Sequence, residues 1–255
     1  MMFPLERQEK LLQYINKKKK ANVQELSRLF KVSKVTIRRD LDELASKGLV
    51  VKTHGGVLSA ENNLSLEIPS SSKFEANSEA KRSIGAAAAD MIDDGDIVIL
   101  DAGSTTLEIA RRLERKAVTV LTNDIKIAVE TARKPNVRLL VSGGELLNGS
   151  VYTLVGSQAS DFFKRVHVNK TFIGCDAIDL DFGVSNRTMQ EVEVKRAMIA
   201  AADEVIMVTD SSKLNKKVFS FLCDVSAIHK LIINEIEDAF RQELEKRGVE
   251  VVISN

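Results

Sequence analysis

Seven short apolar runs punctuate the chain after residue 95, and helical sequence separates most of them. The runs are DIVIL (96–100), VTVLT (118–122), VRLLVS (137–142), KTFIG (170–174), EVIMVT (204–209), HKLIIN (229–234) and VEVVIS (249–254). Between them lie stretches such as LEIARRLE, IKIAVETAR, VEVKRAMIAAAD and EDAFRQELEKRG, and SEAKRSIGAAAADMIDDGD leads into the first run. Strand and helix in alternation predict an α/β fold with a mainly parallel sheet, because each parallel connection needs a crossover whose helix then covers a face of the sheet.

The first 58 residues follow a different pattern, and a chain of 255 residues has room for two domains. LERQEKLLQYINKKKK places Leu11, Leu12 and Ile15 on one side of a helix, and NVQELSRLF places Val23, Leu26, Leu29 and Phe30 on one face behind Asn22 as N-cap, with Glu25 three residues on. After a tight turn, KVSKVTIRRDLDELASKGL starts at the cap Ser33, turns Ile37, Leu41 and Leu44 inward and stops at Gly48. LVVKTHGGVL then reads as a hairpin wing around a Gly-Gly turn. Capped helix, tight turn, capped basic helix and wing in that order predict a winged helix-turn-helix.

Charge divides along the same line. Residues 1–58 hold 13 Lys or Arg against 6 Asp or Glu, and the remainder holds 24 against 30. A basic head on an acidic body points to a polyanion partner for the head alone. On the helix after the tight turn, Lys34, Thr36, Arg38 and Arg39 lie off the apolar stripe and, with the cap Ser33, are the candidates for double-stranded DNA; Lys52 and His54 of the wing are candidates for its backbone. The run Lys17 to Lys20 reads as a solvated helix end adding nonspecific attraction. RNA is a weaker reading, since 10 Phe, 2 Tyr and no Trp offer no stacking platform.

Residues 59–77, SAENNLSLEIPSSSKFEAN, lose periodicity and read as a linker, with Leu64, Leu66 and Ile68 as a candidate edge strand; the second domain is expected over 78–255. The apolar runs fall short of the ~18 residues of a membrane span and no apolar leader opens the chain, so a cytoplasmic protein without membrane contact is expected. Cys175 and Cys223 are far apart and form no CxxC pair, so buried unreactive thiols are expected and no metal site or cofactor.

Five of the strand-like runs end in small, hydroxylated or acidic residues: DAGSTT, TND, SGGE, GCDAID and TDSSK. In an open α/β sheet the carboxyl ends share one edge, where ligands bind. Any one of these corners could be a plain turn or helix cap; their common placement is the argument. In ILDAGSTTLEIA, Gly103 permits close approach, Ser104, Thr105 and Thr106 offer hydroxyls, and the following helix presents free N–H groups to a phosphate. No GxxxxGK[ST] or GxGxxG occurs, which disfavours nucleotides. Asp101, Asp176 and Asp179 suit ligand hydroxyls, with Lys213 and Lys195 balancing charge, so polyol plus phosphate gives a sugar phosphate.

KVSKVTIRRDLDELASKGLVVKTHGG, ILDAGSTT, VLTND, VSGGEL, IGCDAID and VTDSSK resemble, in order and along nearly the whole chain, the signature segments of DeoR-family transcriptional regulators. The resemblance implies a repressor of a sugar or sugar-alcohol operon. Its sensor domain would be similar to pentose-phosphate isomerases and coenzyme A transferases, and it would form a homo-oligomer, a dimer or tetramer. It further implies release of DNA by a phosphorylated sugar or alditol. By the family's pattern the effector site falls on Asp101, Gly103, Ser104, Thr105, Thr106, Thr122, Asn123, Gly143, Gly144, Asp176, Asp210, Ser212 and Lys213. GCDAID stands where the family often has GADGID, so Ala177 replaces a glycine. IDLDFGVSNRTMQE resembles the sugar-alcohol-sensing branch.

The alternative is a sugar-phosphate isomerase with an accessory DNA-binding module, its general base drawn from Asp101, Asp176, Glu191, Glu193 or Asp210. Isomerases resembling this domain hold the phosphate with a lysine- and glycine-rich loop before the helix VKRAMIAAADEV. This chain has FGVSNRTMQEVE there, which favours a binding protein over an enzyme.

Overall fold

The computed structural model describes residues 4–46, 49–53, 56–59, 77–147 and 152–254. The chain divides into two compact units, residues 1–73 and 74–255.

In the first unit, helix α1 (Pro4–Lys18) buries Leu11 and Ile15, and Lys19 at φ 69° turns the chain into strand β1 (Lys20–Asn22). The run Lys17 to Lys20 is therefore not simply a helix end: it spans the end of α1, a left-handed turn and the start of a strand. Asn22 closes β1 and caps helix α2 (Val23–Phe30), its Oδ1 accepting from Glu25 N at 2.8 Å. Leu26 is fully buried, but Leu29, expected on the same face, is 51% exposed. At ~100° per residue Leu29 lies roughly a quarter-turn from the centre of the Val23, Leu26 and Phe30 face, too far round to reach the core.

Helix α3 (Lys34–Ser46) begins behind Ser33, whose Oγ accepts from Thr36 N at 3.1 Å, and buries Ile37, Leu41 and Leu44. Strands β2 (Val50–Thr53) and β3 (Gly56–Ser59) form the expected hairpin, and β1 adds to β3 to make a three-stranded antiparallel sheet. Arg7 donates from Nε and Nη2 to the two oxygens of buried Asp40, at 2.6 and 3.1 Å, which ties α1 to α3. Gly48, His54 and the candidate edge strand of Leu64, Leu66 and Ile68 lie outside the described residues.

The second unit runs α4 (Ser78–Asp90), β4 (Ile97–Leu100), α5 (Ser104–Arg111), β5 (Thr119–Thr122), α6 (Ile125–Thr131), β6 (Arg138–Val141), β7 (Glu145–Leu146), β8 (Leu154–Val155), α7 (Ser157–Phe163) and β9 (Val168–Ile173). It continues through β10 (Ala177–Asp179), β11 (Gly183–Asn186), α8 (Met189–Ala200), β12 (Ala202–Val208), β13 (Ser220–Cys223), β14 (Lys230–Ile233), α9 (Asp238–Lys246) and β15 (Glu250–Ile253). All seven apolar runs enter one sheet of order β15-β14-β12-β9-β4-β5-β6, and every neighbouring pair is parallel. Alternate residues supply opposite cores. Val98, Leu100, Phe172 and Ile232 pack with α4 and α5 residues on one face, while Ile99, Ile173, Leu231 and Ile233 pack with α7, α8 and α9 residues on the other.

The sequence reading missed α7, the β7-β8 hairpin and an antiparallel sheet β10-β11-β13. The strand order reverses beside β4: β5 and β6 extend the sheet to one side, β9, β12, β14 and β15 to the other. Adjacent crossovers therefore diverge between the carboxyl ends of β4 and β9, the place where ligands bind in open α/β sheets.

Candidate functional site

In the first unit, Lys34, Arg38, Lys52 and Gly56 line one groove of about 510 Å³ bounded by the start of α2, by α3 and by the wing. Ser33, Lys34, Arg38 and Arg39 are exposed, and Thr36 is half-buried with its hydroxyl 2.9 Å from that of Ser33. The candidates differ in how their charge is spent. Arg39 Nε lies 3.4 Å from Glu43 Oε1 and Lys52 pairs with Asp42, whereas Lys34 and Arg38 have no ion-pair partner among the described residues. Two free cations on the exposed face of a helix of groove-reading size leave their charge for an outside anion.

In the second unit several of the candidate residues meet at the carboxyl ends of β4 and β9. Asp101 follows β4 and Gly174 follows β9, and Gly174 N donates to Asp101 Oδ2 at 3.0 Å. Lys195, on α8, pairs with the same Oδ2 and donates to Gly174 O at 3.0 Å. Asp101 and Lys195 are 1% and 3% exposed. Burial works against the Lys195 charge, but Asp101, Glu191 and Asp176 outweigh it and hold the ammonium above its ordinary range. The other Asp101 oxygen, Oδ1, is buried and accepts no hydrogen bond from any described residue. Asp176 accepts at Oδ2 from Asn186 Nδ2 at 3.4 Å and from Arg187 N at 3.2 Å, and Asn186 Oδ1 is a second buried acceptor without a donor. Two solvent-excluded acceptors in a cluster linked through Asp176 and Lys195 fit a ligand that donates hydroxyl hydrogens.

The remaining candidates frame that cluster. Ser104 is half-buried at the start of α5; Thr105 and Thr106 turn inward, and Thr106 Oγ1 donates to Gly103 O at 3.0 Å. Gly103 has φ 165°, an extended conformation open to any residue. Thr122 Oγ1 accepts from Asp124 N at 3.1 Å, while Asn123 bridges Ala102 N and Leu154 O at 3.0 Å each. Gly143 and Gly144 have φ +69° and +116°, and a Cβ on Gly144 would fall 2.5 Å from Val155 O, so this Gly-Gly pair is demanded by its turn. Asp210 Oδ1 accepts from Ser212 N at 3.1 Å in the 3-10 turn Ser211–Lys213, with Ser212 exposed and Lys213 half-buried. Asp179 Oδ1 accepts from Asp181 N and Phe182 N at 2.9 and 2.8 Å and lies 3.2 Å from Lys217 Nζ.

A family model described as the DeoR-like helix-turn-helix domain matches residues 7–63, and one described as the DeoR C terminal sensor domain matches residues 76–235. The chain belongs to the DeoR family. A relative from Escherichia coli O157:H7, named for transcriptional repression of the aga operon, is 37% identical over 97% of this chain and 93% of its own. The transcriptional regulator GlpR of Haloferax volcanii is 32% identical over 98% of both chains. Among solved structures, ribose 5-phosphate isomerase from Plasmodium falciparum is similar at a TM-score of 0.39 and 16% identity over 52% of each chain, too distant to bear on activity.

In this DeoR-family chain the structure also places residues outside the expected effector set. Glu191 sits where Thr188 Oγ1 both caps α8 and donates to Glu191 Oε2 at 2.8 Å; T-x-x-E before an apolar run is a capping-box signal that was there to be read. Glu193 is exposed on the same helix. Asp124 caps α6 through Lys126 N and Ile127 N at 2.7 and 2.9 Å, and burial raises its carboxyl to about 6, with the charge of Asp101 adding to the rise. Cys175 and Cys223 are half-buried rather than buried, and burial raises their thiols to about 12 and about 11, which keeps them protonated. Among the described residues no cluster of three or more His, Cys, Asp or Glu could hold a metal ion, and no helix is long and apolar enough to cross a membrane.

Proposed function

We propose that this DeoR-family chain is a DNA-binding transcriptional repressor of a carbohydrate or sugar-alcohol operon, controlled by a phosphorylated sugar or alditol. The observation that carries the ligand class is the buried Asp101 Oδ1, an acceptor beside Lys195 with no donor of its own. A polyol hydroxyl satisfies it, and the phosphate end is then held toward the start of α5 at Ser104 and the cation of Lys213. Lys34 and Arg38 support operator reading by α3, with Lys52 on the flanking phosphates. Two subunits of a dimer or tetramer, working in the cytoplasm, place two such helices on half-sites ~34 Å apart.

The decisive experiment is a mobility-shift titration of the promoter upstream of the protein's own operon against a panel of sugar and alditol phosphates. One compound is expected to change the affinity for DNA without being consumed. Repeated turnover of a pentose or hexose phosphate would instead make the chain an enzyme. Arg38→Ala is expected to relax sequence preference at a cost of ~1–3 kcal/mol. Lys213→Ala should retain DNA binding and respond weakly to the effector. Equal loss of DNA by both variants would defeat the two-site division.

A further inference from the structure

Val35 is the second residue of α3 and is 73% exposed, the most exposed of the large apolar side chains in the described structure. Nothing in the fold uses it. The core of the first unit closes over Ile37, Leu41 and Leu44 on the opposite side of the helix, and a β-branched residue there gives no helix propensity in return. Its surroundings are cationic and polar: Lys34 precedes it, Arg38 and Arg39 lie one turn on, and all three are exposed. A protein or lipid partner would meet a single valine among positive charges, which is a poor hydrophobic anchor. DNA fits both properties at once. The phosphates match the cations, and the apolar group that a major groove presents to a helix is the 5-methyl of thymine. The first turn of a recognition helix is also the part that reaches base edges.

We infer that Val35 is a specificity-determining residue that packs on the 5-methyl group of a thymine in each operator half-site. The inference rests on the reading of α3 as the DNA-contacting helix. It makes Val35 a reader of one base pair by apolar contact, beside an Arg38 that reads by hydrogen bonding. The guanidinium and the valine are three residues apart on one face, so their targets lie within a few base pairs of each other.

The full chain is used to select duplexes from a pool with a randomised core, and the enriched half-site is remade with each thymine in turn replaced by uracil. That replacement deletes one methyl and keeps base pairing. At one position uracil is expected to weaken binding about fourfold, the worth of one buried methyl. Val35→Ser should bind the thymine and uracil duplexes alike at that position while keeping the unaltered protein's response at every other. Val35→Thr, which retains a methyl, should keep the discrimination. Because the side chain is exposed, both variants should unfold at the temperature of the unaltered protein. The assignment is overturned if no uracil weakens binding, or if Val35→Ser preserves the fourfold difference. Failure to enrich any duplex would overturn the DNA-binding reading itself, a distinct result.

Discussion

The side-chain amide of Asn77 donates to Asp210 Oδ1 at 2.9 Å and reaches Ser212 Oγ at 3.4 Å. Asn77 takes a left-handed conformation, φ 53°, immediately before α4. The segment entering the α/β unit is therefore tied to the corner proposed to hold the effector. A ligand that takes Asp210 Oδ1 competes with this amide.

Asn77→Gly tests that competition, because glycine keeps the positive φ and removes the donor. The effector concentration for a half-maximal change in DNA affinity is expected to fall roughly fivefold, the equivalent of about 1 kcal/mol for one lost competing hydrogen bond. A mobility-shift titration with the active sugar or alditol phosphate reads it. An unchanged midpoint would show that the contact is structural only.

The Lys195–Asp101 pair is buried on both sides, so removing one partner strands a charge. Lys195→Met is expected to cost about 3–5 kcal/mol in urea unfolding, and the double variant Lys195→Met, Asp101→Asn to recover most of that loss. A single-variant cost below about 1 kcal/mol would mean that solvent reaches the pair.

Asp124 gives the unit a pH dependence opposite in sign to that of an ion-paired carboxylate. Its folded value is about 6 against an ordinary 3.8, so the native state binds the extra proton. The stability that this proton contributes is fully present below pH 3.8 and is lost as pH rises through about 6, amounting to roughly 3 kcal/mol. Asp124→Asn keeps an N-cap acceptor toward Lys126 N and Ile127 N and removes the ionisable group facing Asp101. Subtracting the variant's stability from that of the unaltered protein should give a difference that falls between pH 4 and pH 7. A flat difference would contradict the burial of this carboxylate.

Gly144→Ala separates a structural glycine from a ligand-contacting one. With φ at +116° and the backbone carbonyl of Val155 2.5 Å from the added Cβ, the substitution is expected to destabilise the unit by at least ~2 kcal/mol whatever ligand is bound. Thermal unfolding with and without sugar phosphate checks it. A variant of normal stability that has lost only its ligand response would return Gly144 to the pocket.

The local sequence was enough to reveal the winged helix-turn-helix and the seven strands of the large sheet. Ser33 and Asn22 cap through bonds to residues three positions away, so their role is visible in a few letters. Parallel strands covered on both faces appear as continuous apolar runs, which is why all seven were legible. The resemblance of six ordered motifs carried the family. The β10-β11-β13 sheet left no such trace, because strands of three or four residues containing buried Ser185 and Asn186 have no apolar period and form only against the rest of the fold.

What the sequence by itself determined was therefore the set of elements and the chemical character of the strand ends, since capping and hydrophobic periodicity act over one or two turns. Tertiary structure alone decided which ends meet. It chose the strand order that parts the crossovers between β4 and β9, and it brought Lys195 to Asp101 across 94 positions and Asn77 to Asp210 across 133. It also decided that Thr122, Asn123 and Gly144 hold the frame while Asp101 Oδ1 is left without a donor. Those outcomes depend on how two faces of one sheet are packed, and no short stretch of residues encodes that.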